Sequence, residues 1–295
     1  MGNTQNLAGL FPKTLVNDIF NKTKGHSSLI RLSGRESVDM TGSDLVTFAM
    51  DGEVNIVAES GAKTNGGITV GTVAMVPIKV EYGARVSDEF LYAAEERQVE
   101  ILNAFNEGYS RKLARGLDLM AIHGINPRSN TASAQIGTNS FDTNTGVTTV
   151  TYVSGSELAN LEAAVAAIGD NDVTGYALAK DYAAALSKVT IGQEAPFSAF
   201  KLGGNPGSLN GVPADVNGTV GAGAKDKVIV GDFANAFKWG IAKDIRFEVI
   251  PYGNPDNSEL GDLKGHNQVF LRAETYIAWA ILDASAFAKV AVVSQ

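Results

Sequence analysis

Two runs of alternating apolar and polar residues flank the stretch AESGAKTNGG, residues 58–67. Apolar side chains occupy even-numbered positions in both runs, and the intervening positions are mostly polar. The first run contributes Val46, Phe48, Met50, Val54, Ile56 and Ala58, and the second contributes Ile68, Val70, Val76, Ile78, Val80 and Tyr82. This period of two predicts two strands, each with one apolar face, joined by the glycine-rich polar turn SGAKTNGG.

The predicted ribbon raises a packing problem. Each arm would be about 40 Å long at about 3.3 Å per residue. An isolated two-stranded hairpin is marginally stable in water because its apolar face has no second layer to cover it. The ribbon therefore either joins a larger sheet of its own chain or lies on a neighbouring chain, and the alternation is compatible with both.

A long amphipathic helix is predicted from Ser87 to His123. Ser87, Asp88 and Glu89 supply a cap and an acidic first turn. Gly124 and Pro127 end the pattern. Apolar residues recur at spacings of three and four, at Leu91, Ala94, Leu102, Phe105, Tyr109, Leu113, Leu117 and Met120. The rod would be about 54 Å long.

The remaining segments mix helices and strands. Residues 12–21 predict a short helix that Pro12 opens, and Ser154-x-x-Glu157 predicts a capping box before a second helix. The segments KVIVGDF, IRFEVIP and QVFLRAETYIAWAIL are typical of strands, and PYGNPDNSELGDLKGHN is typical of a long loop. Because no regular βαβ repeat is visible, the pattern favours an α+β fold.

Composition narrows the functional classes. The chain has 295 residues, 44% hydrophobic and 19% charged, which is typical of a globular protein. Its longest apolar run, Tyr276 to Leu282, has seven residues, whereas a membrane helix needs about 20. The absence of cysteine excludes disulfides, thiolate catalysis and cysteine-ligated metals.

Charge is distributed unevenly along the chain. The net charge of −8 argues against a general nucleic-acid-binding surface. Residues 1–35 carry five Lys and Arg against Asp18 alone, a balance of +4, so the other 260 residues sum to −12. The N-terminal segment is either a basic tail on an acidic body or an arm that contacts an acidic surface of another subunit.

No candidate active site emerges from the motifs. His26, His123 and His266 lack a metal-ligating partner three or four residues away. The chain has no G-x-S-x-G nucleophile elbow, and NGTVGAGAKD departs from the phosphate-loop pattern. Glu95 and Glu96 are adjacent on a predicted helix and point in different directions. We therefore predict no catalytic residue, no cofactor and no metal.

In their order and lengths, these segments resemble the major capsid proteins of tailed bacteriophages, which have the Hong Kong 97-type fold shared with encapsulin shells. LFPKTLVNDIFNKT resembles the end of the N-terminal arm, and the ribbon resembles the extended loop of the family. SDEFLYAAEERQVEILNAFNEGYSRKLARGLDLMAIHG resembles the spine helix. LNGVPADV, VIVGDFANAFKWGIAKDIRFEVIP and FLRAETYIAWAILDASAFAKV resemble the closing part of the fold.

The resemblance implies a domain plan. It assigns residues 1–30 to the N-terminal arm and 45–84 to an extended β-hairpin loop. It assigns 31–44, 85–150 and 244–272 to a peripheral domain, and 151–243 and 273–295 to an axial domain.

It also implies a function. Copies of the chain would assemble as pentamers and hexamers into an icosahedral shell that encloses phage DNA without sequence-specific binding. The partner of the ribbon would be another copy, contacted by Val54, Ile56, Lys63, Ile68 and Val70. Assembly would take place in the cytoplasm of a bacterial host, with separate scaffold, portal and decoration proteins as further partners, and the mature protein would reside in the virion capsid, away from membranes.

This sequence departs from the family in two respects. Many members carry a scaffolding segment ahead of the arm, but few residues precede Leu10 here, so a separate scaffold, no scaffold or a processed chain is expected. Some members form a covalent cross-link between a loop lysine and an asparagine. Lys63 with Asn254, Asn257 or Asn267 would be the candidates, but both residue types are common in exposed loops, and we expect no cross-link.

Two other functions are compatible with the residues. One is an encapsulin-type compartment that stores a cargo enzyme, against which the polar opening MGNTQNLAGL argues. The other is a soluble enzyme with an unrecognised site.

Overall fold

The computed structural model describes residues 27–92 and 95–293. The predicted helix at 12–21 and most of the predicted arm lie outside these residues. The first half of the described chain contains α1 (Ser28–Leu32), β1 (Gly34–Ser37), β2 (Ser43–Asp51), β3 (Gly67–Met75), β4 (Ile78–Ser87), α2 (Glu89–Tyr92) and α3 (Glu95–His123).

The second half contains shorter helices and most of the strands. These are β5 (Ile125–Asn126), β6 (Thr131–Ala132), β7 (Thr148–Thr151), α4 (Glu157–Ala167), β8 (Gly175–Leu178), α5 (Lys180–Leu186), β9 (Ser208–Leu209), β10 (Val212–Val216), β11 (Asp226–Gly231), β12 (Phe237–Ile250), β13 (Gln268–Ile281) and β14 (Phe287–Ala291). The α+β class predicted from the sequence is confirmed.

A four-stranded sheet in the order β1-β12-β13-β4 supports the long helix. Strands β12 and β13 are antiparallel and pair from Phe237 opposite Ile281 to Ile250 opposite Phe270. Helix α3 packs on this sheet through Phe105, whose ring lies 5.3 Å from that of Phe247. The helix ends at His123 because Gly124 follows with φ +66°, a left-handed conformation that favours glycine.

The second large sheet of the subunit has six strands in the order β7-β14-β11-β8-β10-β9. Every residue of the central strand β11 is buried, which explains the continuous apolar run VIV in its sequence. Helices α4 and α5 cover this sheet. Its core includes Phe287, whose ring meets those of Phe141 at 5.0 Å and Phe233 at 5.2 Å.

Strands β2 and β3 form a separate two-stranded sheet. The prediction of one continuous ribbon through Tyr82 is wrong in its second arm, because β3 ends at Met75 and β4 belongs to the four-stranded sheet. Pro77 lies between them and has no backbone N–H to donate to a ladder. The alternation at Ile78 and Val80 therefore reflects packing on the core of the same chain.

The predicted capping box is also wrong. Helix α4 begins at Glu157 with Ser156 at its N-cap, so Ser154 lies too far upstream to cap it. The Glu157 carboxylate instead accepts hydrogen bonds from the Tyr152 hydroxyl and the Gly155 N–H, each at 3.1 Å. Glu157 thus fixes the approach of the chain to the helix.

Candidate assembly interface

The β2–β3 hairpin carries an apolar face that nothing in the described chain covers. Phe48 lies opposite Val70, and Met50 lies opposite Ile68, so these side chains project from the same face of the ladder. Phe48 is 62% exposed and Val70 is 63% exposed, and Val46 on the same face is also exposed. A contiguous exposed apolar patch of this kind marks an interaction surface.

The tip of the hairpin, residues 52–66, contains no strand. Val54 is 95% exposed and Ile56 is 97% exposed. The Asn55 amide donates to the Thr64 hydroxyl at 3.1 Å and ties the two sides of the tip together. Lys63 is also exposed. The five predicted contact residues therefore lie on one projecting element, two on β3 and three at its tip.

The base of the hairpin is fixed to the body. Met75 is completely buried and packs in a small cluster with Val38, Ala278 and Ala280. These partners come from the loop after β1 and from β13. The hairpin thus projects from a packed base, and Met75 lies on the face of the ladder opposite to Phe48 and Val70.

Arg85 of β4 organises the polar loop between β12 and β13. Its guanidinium donates to the Asp256 carboxylate at 2.9 and 2.6 Å, to the Asn254 side-chain oxygen at 2.7 Å and to the Gly261 carbonyl at 2.9 Å. The hydrogen bond from Arg85 lowers the pKa of Asp256 to about 2. The Arg85 guanidinium therefore links three residues of this loop to strand β4.

The three candidate cross-link asparagines all lie in or beside this loop. Asn254 is engaged by Arg85 and also donates to the Ser258 carbonyl at 3.0 Å. Asn257 and Asn267 have left-handed backbones, with φ of 47° and 52°, which asparagine tolerates better than most residues. These two asparagines therefore have a conformational reason to be present at their positions.

Asp118 anchors the start of the described chain to helix α3. Its carboxylate accepts from the Ser27 hydroxyl, from the Ser28 N–H at 3.0 Å and from the Thr219 hydroxyl at 2.6 Å. Burial raises the pKa of Asp118, and these hydrogen bonds oppose the rise. Residues 27–30, assigned to the end of the arm, are packed against the body at this point.

A buried charge cluster surrounds the end of helix α3. His123 Nδ1 lies 2.8 Å from an Asp142 oxygen and 3.3 Å from an Asp226 oxygen, and Nε2 lies 2.8 Å from the Thr219 carbonyl. The Lys289 ammonium contacts Asp142 and lies 3.7 Å from Asp226.

The partners of His123 determine its protonation. A carbonyl oxygen cannot donate, so Nε2 must carry a hydrogen, and the ionised Asp142 carboxylate requires a second hydrogen on Nδ1. Burial alone would lower the pKa of His123, but the hydrogen bonds to Asp142, Asp226 and Thr219 outweigh it and raise the pKa to about 10. The same hydrogen bond, with that from Lys289, keeps the pKa of Asp142 well below its ordinary value although burial opposes this. Burial and the neighbouring Asp142 carboxylate raise the pKa of Asp226, and the contacts with His123 and Lys289 oppose this rise.

This cluster contains the one group of potential metal ligands among the described residues. Donor atoms of His123, Asp142 and Asp226 all lie within 4.8 Å of one another. However, the Lys289 ammonium already occupies the space beside both carboxylates, and both ring nitrogens of His123 are engaged. The residues therefore form a self-contained ion-pair network, and they do not suit a metal cation.

Comparison with known proteins identifies the family to which this architecture belongs. A family model described as the phage capsid family matches residues 8–292. The chain belongs to the phage capsid family.

Solved structures agree with that assignment. A chain from Mycobacterium phage Ogopogo is 30% identical with a TM-score of 0.75, and the match covers 91% of this chain and 92% of that one. A chain from Gordonia phage Cozz is 24% identical with a TM-score of 0.73, covering 92% and 87%. A third, titled capsid of empty GTA particle computed with C5 symmetry, is 14% identical with a TM-score of 0.62 and coverage of 91% and 90%. No curated protein matches the chain.

This capsid protein is accordingly a structural component of the icosahedral shell of a bacteriophage, and its subunits assemble into that shell. The phage capsid fold predicted from the order of segments is confirmed. Among the described residues, no helix has the length and apolar character needed to cross a bilayer.

Proposed function

We propose that the β2–β3 hairpin of each capsid subunit lies on a neighbouring subunit and holds the shell together. The observation that carries this proposal is the apolar face of the hairpin, which is uncovered in the single chain while its base is packed. Burying such side chains contributes about 25 cal/mol per Å² of apolar area. Val54, Ile56, Ile68 and Val70 supply apolar contacts in this arrangement, and Lys63 supplies a polar one.

In this proposal the two larger sheets belong to different domains of the subunit. The four-stranded sheet with helix α3 corresponds to the peripheral domain, and the six-stranded sheet with α4 and α5 corresponds to the axial domain. Strands β12 and β13 lie wholly in the four-stranded sheet although they cross the boundaries proposed after residues 243 and 272, so in this proposal residues 237–243 and 273–281 join the peripheral domain.

The subunits form pentamers and hexamers in this proposal, and each one is held by several neighbours at once, so that modest contacts add up. The protein has no catalytic role and needs no cofactor. Separate scaffold, portal and decoration proteins complete the particle, which assembles in the cytoplasm of the bacterial host and encloses DNA without reading its sequence.

Electron microscopy of the purified full-length protein tests the central part of this proposal. The wild-type chain should form closed shells. The double variant Phe48→Ser and Val70→Ser should remain as unassembled subunits, because it removes two facing apolar side chains from the hairpin. Both side chains are mostly exposed in the subunit, so the free energy of unfolding should change by only about 0.5 kcal/mol.

A matched control separates loss of contact from damage to the hairpin. Thr47→Ser with Ala49→Ser alters the opposite face of the same strand and should leave shell formation unchanged. If the Phe48 and Val70 variant assembles as readily as the control, the hairpin face does not hold the shell together.

A further inference from the structure

A polar cleft lies between helix α3 and the edge of the six-stranded sheet. It has a volume of about 510 Å³. Its lining includes four cations, which are Arg111, Lys112 and Arg115 of α3 and Lys180 at the start of α5. Asp215 is its one acidic residue. The cleft is therefore strongly basic although the chain as a whole carries a net charge of −8.

The positive charge of the cleft is only partly balanced by the chain itself. Arg111 pairs with Glu107 one helical turn away, and Asp215 pairs with Arg31 at 2.7 Å. Among the described residues, no carboxylate forms an ion pair with Lys112, Arg115 or Lys180, and all three are exposed. Three exposed cations thus line one cleft, and none of them has an ion-pair partner in the part of the chain that the structure describes.

The geometry of helix α3 keeps its three cations together. Residues three and four apart share a face of a helix, so Lys112 and Arg115 are neighbours, and Arg111 and Arg115 are separated by a rise of about 6 Å. Both residue types are well suited to phosphate oxygens, Arg through its planar fork and Lys as a compact point charge.

The lining of the cleft discriminates between two kinds of anionic partner. A protein segment usually gains its affinity from apolar and aromatic contacts at the centre of an interface. Here Val216 is the only lining residue with an apolar side chain. Gly108 has no side chain, and the other lining residues are charged or polar. Interfaces with nucleic acids are more polar and more positively charged than interfaces between proteins.

We propose that this cleft binds backbone phosphates of the packaged DNA, independently of base sequence. The proposal rests on the shell function, which brings DNA against the wall of the particle. It implies that the cleft faces the interior, and that an otherwise acidic subunit touches DNA at one defined place. Each neutralised phosphate of duplex DNA makes the slope of log K against log salt steeper by about 0.9.

Binding of the unassembled full-length subunit to a short duplex DNA tests the proposal, because a cleft on the interior face is accessible to added DNA only before the shell closes. Fluorescence anisotropy is measured between about 50 and 200 mM salt for the wild type and for the triple variant Lys112→Gln, Arg115→Gln and Lys180→Gln. We expect the salt slope of the variant to be shallower by about 2.7, since three phosphate contacts are lost.

A charge-matched control excludes a general effect of net charge. Lys188, Lys201 and Lys264 are exposed and lie outside the cleft, and their joint replacement by Gln changes the net charge by the same amount. This control should keep the slope of the wild type. Equal slopes for the two triple variants, or no measurable DNA binding by the wild type, would overturn the proposal.

Two further measurements identify the ligand and separate the result for the cleft from the result for shell formation. Polyglutamate of matched charge should compete with DNA only weakly, and stronger binding of polyglutamate than of DNA would assign the cleft to an acidic protein segment instead. Electron microscopy of the same preparations reports shell formation separately. If the wild type forms closed shells but its unassembled subunit fails to bind DNA, the capsid function stays intact and the cleft proposal alone is refuted.

Discussion

At the scale of single residues, the charge cluster around His123 is the most consequential feature of the core. It joins the end of α3 to β11 and β14, because Asp226 and Lys289 belong to those strands. Both hydrogen-bonding positions of the imidazole are filled by acceptors. The helix, the central strand of the six-stranded sheet and its neighbour are therefore held by one protonated side chain.

Subunit stability should consequently decrease in mildly alkaline solution. The pKa of His123 in the folded chain is raised from 6.5 to about 10. A raised pKa means that the contribution is complete below about pH 6.5 and is lost as the pH rises toward about 10. Over this range the unfolded chain has released the proton while the folded chain still holds it, and near pH 10 the folded imidazolium loses it too, so that Lys289 alone faces Asp142 and Asp226.

The variant His123→Gln tests this expectation. Removing one partner of a buried ion pair costs about 3 kcal/mol, so the free energy of unfolding near pH 6 should fall by that amount. The variant should also lose much of the decline that the wild type shows between pH 6.5 and about 10. Denaturant unfolding of the unassembled subunit at several pH values measures both effects.

His266→Gln provides the control, because His266 is exposed and its Nδ1 lies beside the Asp262 carbonyl at 3.0 Å, outside the cluster. This variant should follow the wild-type profile. Identical pH profiles for the wild type and His123→Gln would show that the cluster does not depend on a charged imidazole.

At the scale of elements, the sequence predicts long and strongly patterned segments well. The body and end of helix α3 are predictable because its apolar spacing continues for many turns and Gly124 ends it. The predicted start at Ser87 is wrong, because Ser87 is the last residue of strand β4. Strands β11 and β13 are predictable because their apolar runs are bounded by turn residues. In each case the local pattern and the tertiary environment favour the same structure.

The errors occur where the partner of an element determines its role. The alternation at Ile78 and Val80 is the same whether the strand faces its own core or another chain. The sequence pattern therefore predicts a ribbon that is longer than the hairpin in the structure. Pro77 carried the missing signal, because it interrupts a ladder. The cluster of His123, Asp142 and Asp226 was not predictable, because residues far apart in sequence become neighbours only in the folded chain.

The two loops that could support a covalent cross-link also belong to this scale. Isopeptide formation needs a neutral lysine, and desolvation lowers a lysine pKa only when the side chain is buried away from water. Lys63 is exposed in a polar turn, and Asn254 is already engaged by Arg85. Neither group is prepared for the reaction by its own chain.

We therefore expect assembled shells to dissociate completely under denaturing conditions. Electrophoresis should give a single band near the subunit mass of 30.9 kDa. Lys63→Ala should give the same single band and equally stable shells. A ladder of multiples that disappears in Lys63→Ala would establish a cross-link and refute this expectation.

At the scale of the whole molecule, the subunit combines a rigid body with an incomplete surface. Two sheets, a long helix and the anchors at Asp118 and His123 make a body that is packed without help from other chains. The hairpin adds an apolar face that is left to solvent in the single subunit. This combination suits a protein that folds first and completes its packing by assembly.

Charge is also distributed unevenly over the subunit. A net charge of −8 keeps most of the surface from adhering to nucleic acid, while the cleft beside α3 concentrates three unpaired cations. A shell subunit with these properties can hold DNA at a fixed point and leave it free elsewhere.

The most direct test of the assembly mechanism is an electron cryo-microscopy map of the closed shell at side-chain resolution. It should show Phe48, Met50, Ile68 and Val70 covered by a second copy of the chain, with the 52–66 tip against that same neighbour. A map in which this face remains exposed to solvent, or folds back onto the body of its own subunit, would contradict the mechanism.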